Sequence, residues 1–181
     1  MIRYLAASPV LALASPAAAE VVQSTPGGFA SHHEAVVATP PAETWAMLVE
    51  PQRWWSHTWS DNSANLRLVP QAGGCFCEVI PATGDDALSG SVEHARVVAV
   101  FPYRMLRMVG ALGPLQSEGL AGTLTVTLAP EEEGTRIAWD YVIGGQSRTR
   151  LETFAPVVDG VNGAFLGGLV DALGGEVTAP E

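Results

Sequence analysis

The order of secondary-structure elements constrains the fold of this chain more than any motif in it. One strand-like run, residues 29–38, leads into a short Trp-rich helical segment between Thr39 and Trp55. Six further strand-like runs follow, and the chain then has one long apolar-faced helix from about Leu151 to Leu173. Consecutive strands joined by short turns pair antiparallel, and an amphipathic helix must cover an apolar surface. We therefore predict an α+β fold in which a curved antiparallel sheet wraps around one C-terminal helix.

The alternation of residues supports a sheet with one buried and one exposed face. In residues 119–129, Leu124, Val126 and Leu128 face one way and three threonines face the other. The final helix carries apolar residues at the spacing of one helix face. The members of this stripe are Leu151, Phe154, Val158, Val161, Phe165 and Leu169. Since a sheet and a helix of this kind often enclose an apolar space, we expect an internal cavity between them.

Several short motifs follow one another in a fixed order along the chain. They are Thr39-Pro40-Pro41-Ala42-Glu43-Thr44-Trp45, Pro51, Arg53-Trp54-Trp55, Gly73-Gly74 and Gly134-Thr135-Arg136. With this order the sequence resembles the START-like, or SRPBCC, superfamily over about residues 28–173. Within that superfamily it resembles the branch of heat-shock-protein-90 ATPase activator homologues and polyketide cyclase-like proteins.

The resemblance implies a helix-grip fold with an internal pocket. In that fold a seven-stranded antiparallel sheet wraps around a long C-terminal helix, and two short helices connect the first and second strands. Members of the superfamily bind lipids, sterols, polyketides or plant hormones, and some are cyclases or hydrolases. Because one fold carries several functions, the resemblance implies the fold more narrowly than the function.

The N-terminus has the features of a secretory signal peptide. It carries one positive charge at Arg3, an apolar stretch over residues 5–14 and three alanines that end at Ala19. We therefore expect a periplasmic or secreted protein, which disfavours the activation of a cytosolic ATPase. The predicted segments are residues 1–19 as signal peptide, 20–27 as extended lead-in, 28–174 as START-like helix-grip domain and 175–181 as disordered tail.

The net charge argues against some partners. After removal of the signal peptide, eight arginines face nineteen acidic residues, which leaves a net charge of about −11. Such an acidic chain repels nucleic acid and anionic lipid head groups. No segment after the signal peptide has the roughly 20 consecutive apolar residues of a membrane span. We therefore expect neither nucleic-acid binding nor a membrane span, and the sequence indicates no oligomeric state.

The residues that would line the cavity lie on the inner face of the sheet and on the helix stripe. Trp139 and Tyr141 stand in the middle of a strand on that face, and each combines a large apolar surface with a polar tip. The predicted ligand-binding residues are Leu106, Met108, Leu124, Val126, Trp139, Tyr141, Phe154, Val158 and Phe165. No spacing of histidines, cysteines and carboxylates matches a metal or cofactor site, so we expect neither.

His94 is the candidate catalytic residue if the protein is an enzyme. It follows Glu93 in a strand whose two faces polarity does not distinguish. On the inner face the ring can orient a ligand hydroxyl or act as a general acid or base. The favoured interpretation is the outer face, where His94 is a surface residue. No second titratable group has a fixed spacing to it.

Cys75 and Cys77 share one face of a predicted strand, about 6.4–6.8 Å apart. This separation is at the upper limit for a disulfide. The favoured interpretation is two small buried side chains beside Val79. The alternatives are a disulfide formed in an oxidising compartment and a metal site that includes His57 or His94.

These patterns favour a binding protein over an enzyme. The leading hypothesis is an exported protein that holds a small apolar or amphipathic molecule between the sheet and the helix. One alternative is a cyclase- or hydrolase-like enzyme that uses His94 in the same cavity. The other is an envelope interaction module that docks a partner through the rings of Trp55 and Trp59.

Overall fold

The structure is a computed structural model that describes residues 20–84 and 88–175, and these residues form one antiparallel sheet and two α-helices. The strands are β1 Glu20–Thr25, β2 Gly28–Val37, β3 Leu66–Leu68, β4 Cys75–Ile80, β5 Gly90–Phe101, β6 Met105–Val109, β7 Gly119–Glu131 and β8 Gly134–Gln146. Their order across the sheet is β1-β2-β8-β7-β6-β5-β4-β3. The helices are α1 Pro41–Leu48 and α2 Leu151–Ala172. This is the predicted helix-grip architecture, a curved sheet wrapped against a long C-terminal helix.

The sheet has eight strands in the described part of the chain, where the sequence predicts seven. The additional strand is β1, which pairs with β2 and contains most of the predicted lead-in. Residues 22–25 are exposed on this edge strand, so no apolar alternation marks it in the sequence. Between β2 and β3, α1 is followed by a 3₁₀ turn at Pro51–Arg53, where two short helices are predicted. The predicted signal peptide and the tail after residue 175 lie outside the described residues.

Helix α2 lies on β2, β8 and β1 through a face that includes buried polar side chains. The carboxylate of Asp159 accepts a 2.5 Å hydrogen bond from the Ser31 hydroxyl and lies 3.0 Å from Nε2 of His33. Asn162 accepts a bond from the indole N–H of Trp139. By length and composition, α2 is also apolar enough to cross a membrane, whereas no such segment is predicted from the sequence. In this structure its polar side chains are hydrogen-bonded to the sheet. Specific hydrogen bonds therefore fix the helix on the sheet in addition to apolar packing.

Two neighbouring glycines of α2 have different surroundings. A Cβ atom at Gly168 would stand 2.5 Å from the carbonyl oxygen of Trp54, whereas one at Gly167 would meet no atom within 4 Å. Because Gly168 has no side chain, the helix can lie directly against the segment that follows α1. Gly167 has no such role in packing.

We predict opposite effects of alanine at these two positions. Gly167→Ala should raise the free energy of unfolding by up to about 1 kcal/mol, because alanine favours the helix and has room there. Gly168→Ala should lower it by about 1–3 kcal/mol, because the methyl group displaces the helix from Trp54. Urea unfolding followed by circular dichroism measures both changes. Equal effects of the two substitutions contradict this packing.

Candidate ligand-binding site

A cavity of about 830 Å³ lies between α2, the loop that follows α1 and the segment between β6 and β7. Its walls are residues 55–59, Asp61, residues 112–115 and one side of α2. From the sheet, His94 of β5 also lines the cavity. Val157 and Trp59 in these walls are 66% and 54% exposed, so the cavity opens to solvent. Its volume is within the range of small-molecule sites.

Three of the nine predicted ligand-binding residues line this cavity, namely Phe154, Val158 and Phe165. The other six lie in the packed core, and they are Leu106, Met108, Leu124, Val126, Trp139 and Tyr141. The void beside four of these six is about 10 Å³, which is room for about one water molecule. Trp54 and Trp55 also border that void, so their rings occupy the space in which the sequence predicts a ligand.

The polar tips of Trp139 and Tyr141 are bonded within the core. The Trp139 indole N–H donates to Oδ1 of Asn162 at 3.1 Å. The Tyr141 hydroxyl donates to the carbonyl oxygen of Gly110 at 3.1 Å and accepts a bond from the Leu112 amide at 3.2 Å. Burial raises the pKa of Tyr141 to about 12, so the hydroxyl stays neutral. Tyr141 therefore fixes the segment that begins the 112–115 wall, and it does this from behind the cavity.

His94 faces the cavity because β5 has a bulge at this residue. Against β4, Phe76 pairs with Ala95 and Cys77 pairs with Glu93, which leaves His94 as an extra residue. His94 and Ala95 are therefore both buried, although they are adjacent in the strand, and His94 is 3% exposed. The favoured prediction of a surface histidine is wrong, because it assumes the strict alternation of a regular strand.

A buried glutamate lies behind His94. Glu78 of β4 is 0% exposed, and its Oε2 lies 2.9 Å from Nε2 of His94. The same carboxylate accepts backbone N–H bonds from Trp59 at 3.0 Å and from Ser60 at 2.6 Å. Glu78 therefore connects the sheet to the loop that forms one wall of the cavity, and it is a second titratable group beside His94, which no spacing in the sequence indicates.

The predicted interior face of β4 is wrong. Phe76 and Glu78 are buried, whereas Val79 is 38% exposed and the two cysteines are half-buried. Apolar residues occur on both faces of this strand, and an ionisable residue is rarely placed inside without a known partner. The signal that could have identified Glu78 is its position two residues after Phe76, the largest side chain of the strand.

The charge state of the pair follows from its surroundings. Burial raises the pKa of Glu78, but hydrogen bonds from Ser60, Trp59 and His94 outweigh this effect and hold the pKa below its usual value. Burial lowers the pKa of His94 by more than the Glu78 carboxylate raises it. Near neutral pH the pair is therefore a carboxylate and a neutral imidazole. Nε2 carries the ring proton and donates a hydrogen bond to Glu78, so Nδ1 has a free lone pair.

Aromatic rings form much of the remaining wall. Trp55 stacks on Phe165 with the ring centroids 3.4 Å apart and the planes 18° from parallel, and His57 meets Phe165 edge-on at 5.1 Å. Trp55 is buried and Trp59 is exposed. The ring of Trp55 is therefore not accessible to a partner protein, which disfavours an interaction module that docks through both rings.

Cys75 and Cys77 are joined by a disulfide, with their Cα atoms 5.4 Å apart. This arrangement is the oxidised alternative of the three that the sequence leaves open. The carboxylate of Glu93 lies near the two sulfur atoms, but cysteines bind metals as thiolates, which a disulfide does not provide. His57 and His94 belong to no metal-ligand cluster among the described residues.

Comparisons with known proteins concern the fold. No protein-family model matches the chain, and no curated protein matches its sequence. A protein of unknown function from Staphylococcus aureus has a similar structure, with a TM-score of 0.59, 12% identity, and coverage of 81% of this chain and 94% of its own. CalU16 from Micromonospora echinospora aligns with a TM-score of 0.54, 17% identity and 86% of each chain.

 The di-domain ARO/CYC StfQ from the steffimycin biosynthetic pathway aligns with a TM-score of 0.53 and 15% identity, over 81% of this chain and 49% of its own. All three likenesses are below 25% identity, so they show the shared fold and leave the ligand to be argued from this chain's own residues.

We predict that His94 contributes to the loss of stability in acid. The unfolded chain protonates this ring near its ordinary pKa of about 6.5, whereas the folded protein resists protonation to a lower pH. The unfolded state therefore binds more protons below that value, and stability falls as the pH decreases, by up to about 1.4 kcal/mol per pH unit. Glu78 acts in the same direction at lower pH, because its stabilising charge is lost as the pH falls through its lowered pKa.

The measurement is urea unfolding of the wild type and of His94→Gln at about pH 7.5 and about pH 5.5. The glutamine amide can still donate to Glu78, and the other three histidines are the same in both proteins. His94→Gln should lose less stability between the two pH values than the wild type. Equal losses contradict a neutral, buried His94.

Proposed function

We propose that this protein binds a small apolar or amphipathic molecule in the cavity beside α2. The observation that carries the proposal is a cavity of small-molecule size whose walls are mainly apolar and aromatic, with the buried polar side chains of His94 and Asn162 among them. The fold that the chain shares with CalU16 and StfQ supports its place among the polyketide cyclase-like members of the SRPBCC superfamily.

The proposal includes export to the periplasm or the medium. Residues 1–19 have the charge, apolar stretch and small-residue end of a signal peptide. The disulfide between Cys75 and Cys77 supports the same location, because disulfides persist in oxidising compartments. A ligand taken up there buries part of its apolar surface against the apolar walls of the cavity.

We predict that filling the cavity abolishes binding. Val158 is a half-buried wall residue of α2, so Val158→Trp should displace a ligand from the cavity. Val142→Trp is the matched control, because Val142 is exposed on β8 and is not a wall residue. Titration with the neutral fluorophore N-phenyl-1-naphthylamine measures the dissociation constant of each protein.

The wild type and Val142→Trp should bind the fluorophore with the same affinity, and Val158→Trp should bind at least about tenfold more weakly. Native mass spectrometry of the purified wild type should also show an organic molecule that Val158→Trp lacks. Equal binding by all three proteins, or no binding by the wild type, contradicts the proposal.

The Glu78–His94 pair favours a second candidate function, an acid–base enzyme of the cyclase kind in the same cavity. Nδ1 of His94 would take a proton from a ligand carbon next to a carbonyl group, and the Glu78 carboxylate would stabilise the imidazolium. That carbon would then bond to a second carbonyl carbon of the same ligand. The oxygen of this second carbonyl would take the proton back from His94, so the reaction needs no co-reactant.

This candidate predicts turnover of the ligand that co-purifies with the protein. Proton NMR in D₂O follows the ligand with catalytic amounts of the wild type or of His94→Gln. The enzyme function requires deuterium incorporation or a new product with the wild type and little of either with His94→Gln. A ligand that the wild type leaves unchanged supports binding alone.

A further inference from the structure

We propose that the cavity selects a neutral ring compound with a hydroxyl group, and that this hydroxyl donates a hydrogen bond to Nδ1 of His94. The inference rests on the proposed function, because it names the class of ligand that the same cavity takes. It also makes His94 the residue that determines specificity.

The first step of the argument is the free acceptor on His94. Nε2 is used by Glu78 at 2.9 Å, and Nδ1 makes no hydrogen bond to any residue that the structure describes. The residue is nonetheless almost fully buried, and it is part of the cavity wall. A ligand that covers Nδ1 without donating to it leaves a buried acceptor unsatisfied, which is costly. A ligand hydroxyl removes that cost.

Glu78 determines that the ligand must be the donor. The carboxylate is ionised and accepts a hydrogen bond from the Nε2–H group, so a neutral ring has its lone pair on Nδ1. Backbone bonds from Trp59 and Ser60 hold the carboxylate in place. The tautomer of His94 is therefore fixed before a ligand enters.

The other polar side chains of the wall offer less discrimination. Asn162 is buried, but its oxygen accepts from Trp139 and its amide donates to the carbonyl oxygen of Val158. Ser56, His57 and Asp61 are exposed and Thr58 is only half-buried, so water competes for their hydrogen bonds. His94 therefore combines burial with an available acceptor, and Asn162, His57 and Asp61 do not.

The shape and charge of the walls indicate a neutral ring. The walls contain the exposed ring of Trp59 and the stacked rings of Trp55 and Phe165, so a ligand ring meets aromatic side chains there. Asp61 in the wall, the Glu78 carboxylate behind His94 and the formal net charge of −10 all disfavour an anion. A carboxylate ligand is therefore a poorer fit than a hydroxyl of the same size.

Three probes of nearly equal shape test this inference by isothermal titration calorimetry at neutral pH. They are 2-naphthol, its methyl ether 2-methoxynaphthalene, and the anion 2-naphthoate. The wild type should bind 2-naphthol about tenfold or more tightly than the methyl ether, and the anion more weakly than 2-naphthol. This comparison needs no variant, so it does not depend on the folding of one.

His94→Phe should weaken the binding of 2-naphthol about tenfold more than the binding of the methyl ether, so that the preference for 2-naphthol is lost whatever the variant does to both affinities in common. His32→Phe is the matched control, and it should retain the preference because His32 lies on β2 and is not a wall residue of the cavity. Equal affinities of the wild type for 2-naphthol and the methyl ether, a preference that survives His94→Phe, or a preference for the anion overturns the inference.

The outcomes also separate this inference from the proposed function. If N-phenyl-1-naphthylamine binds in a manner sensitive to Val158→Trp but none of the three naphthalene probes binds, the ligand class is wrong and the binding function stands. If the wild type binds none of the probes, both proposals are wrong.

Discussion

The buried carboxylate of Glu78 is the interaction on which the rest of the site depends. An isolated buried charge costs several kcal/mol, so this carboxylate requires the donors that surround it. It has three of them, the amides of Trp59 and Ser60 and the ring of His94. One group therefore fixes both the loop that walls the cavity and the histidine that faces it. The position of the loop and the tautomer of the histidine are linked for this reason.

The cavity lies beside the helix because the space beneath the helix is filled. Gly168 lets α2 lie against the segment after α1, and Trp54 and Trp139 meet edge to face at 6.0 Å in the core. Two polar attachments, at Asp159 and Asn162, fix α2 on the sheet as well. The neighbouring side of the helix, to which Asn162 also belongs, forms a wall with the Trp-rich loop. The structure thus keeps the helix-grip fold and places its open space at the side of the grip.

The fold could be predicted from the sequence to a larger extent than the site. The order of elements and the alternation in β7 and β8 are local properties, and they predict the sheet and the C-terminal helix correctly. The helix stripe also predicts that Phe154, Val158 and Phe165 are wall residues, as they are. The facing wall of the cavity comes from the irregular loop that includes Trp59. The path of this loop depends on hydrogen bonds to Glu78, which is 19 residues further along the sequence from Trp59.

Two features of the site have no local signature. The bulge that turns His94 inward exists because β4 and β5 pair with one residue in excess, which neither strand shows alone. Glu78 is one of nineteen acidic residues, and its burial makes sense only when its donors are known. The sequence does not predict β1 for a related reason, since an exposed edge strand is held by backbone pairing and needs no apolar pattern.

Nitrogen-15 NMR of the histidine rings tests the central claim most directly. The claim is that His94 is neutral at neutral pH, with its proton on Nε2 and a free lone pair on Nδ1. The account predicts one protonated and one unprotonated nitrogen for His94, with the proton on Nε2, and a change at Nδ1 when 2-naphthol is added. A doubly protonated ring, or a neutral ring with its proton on Nδ1, contradicts it.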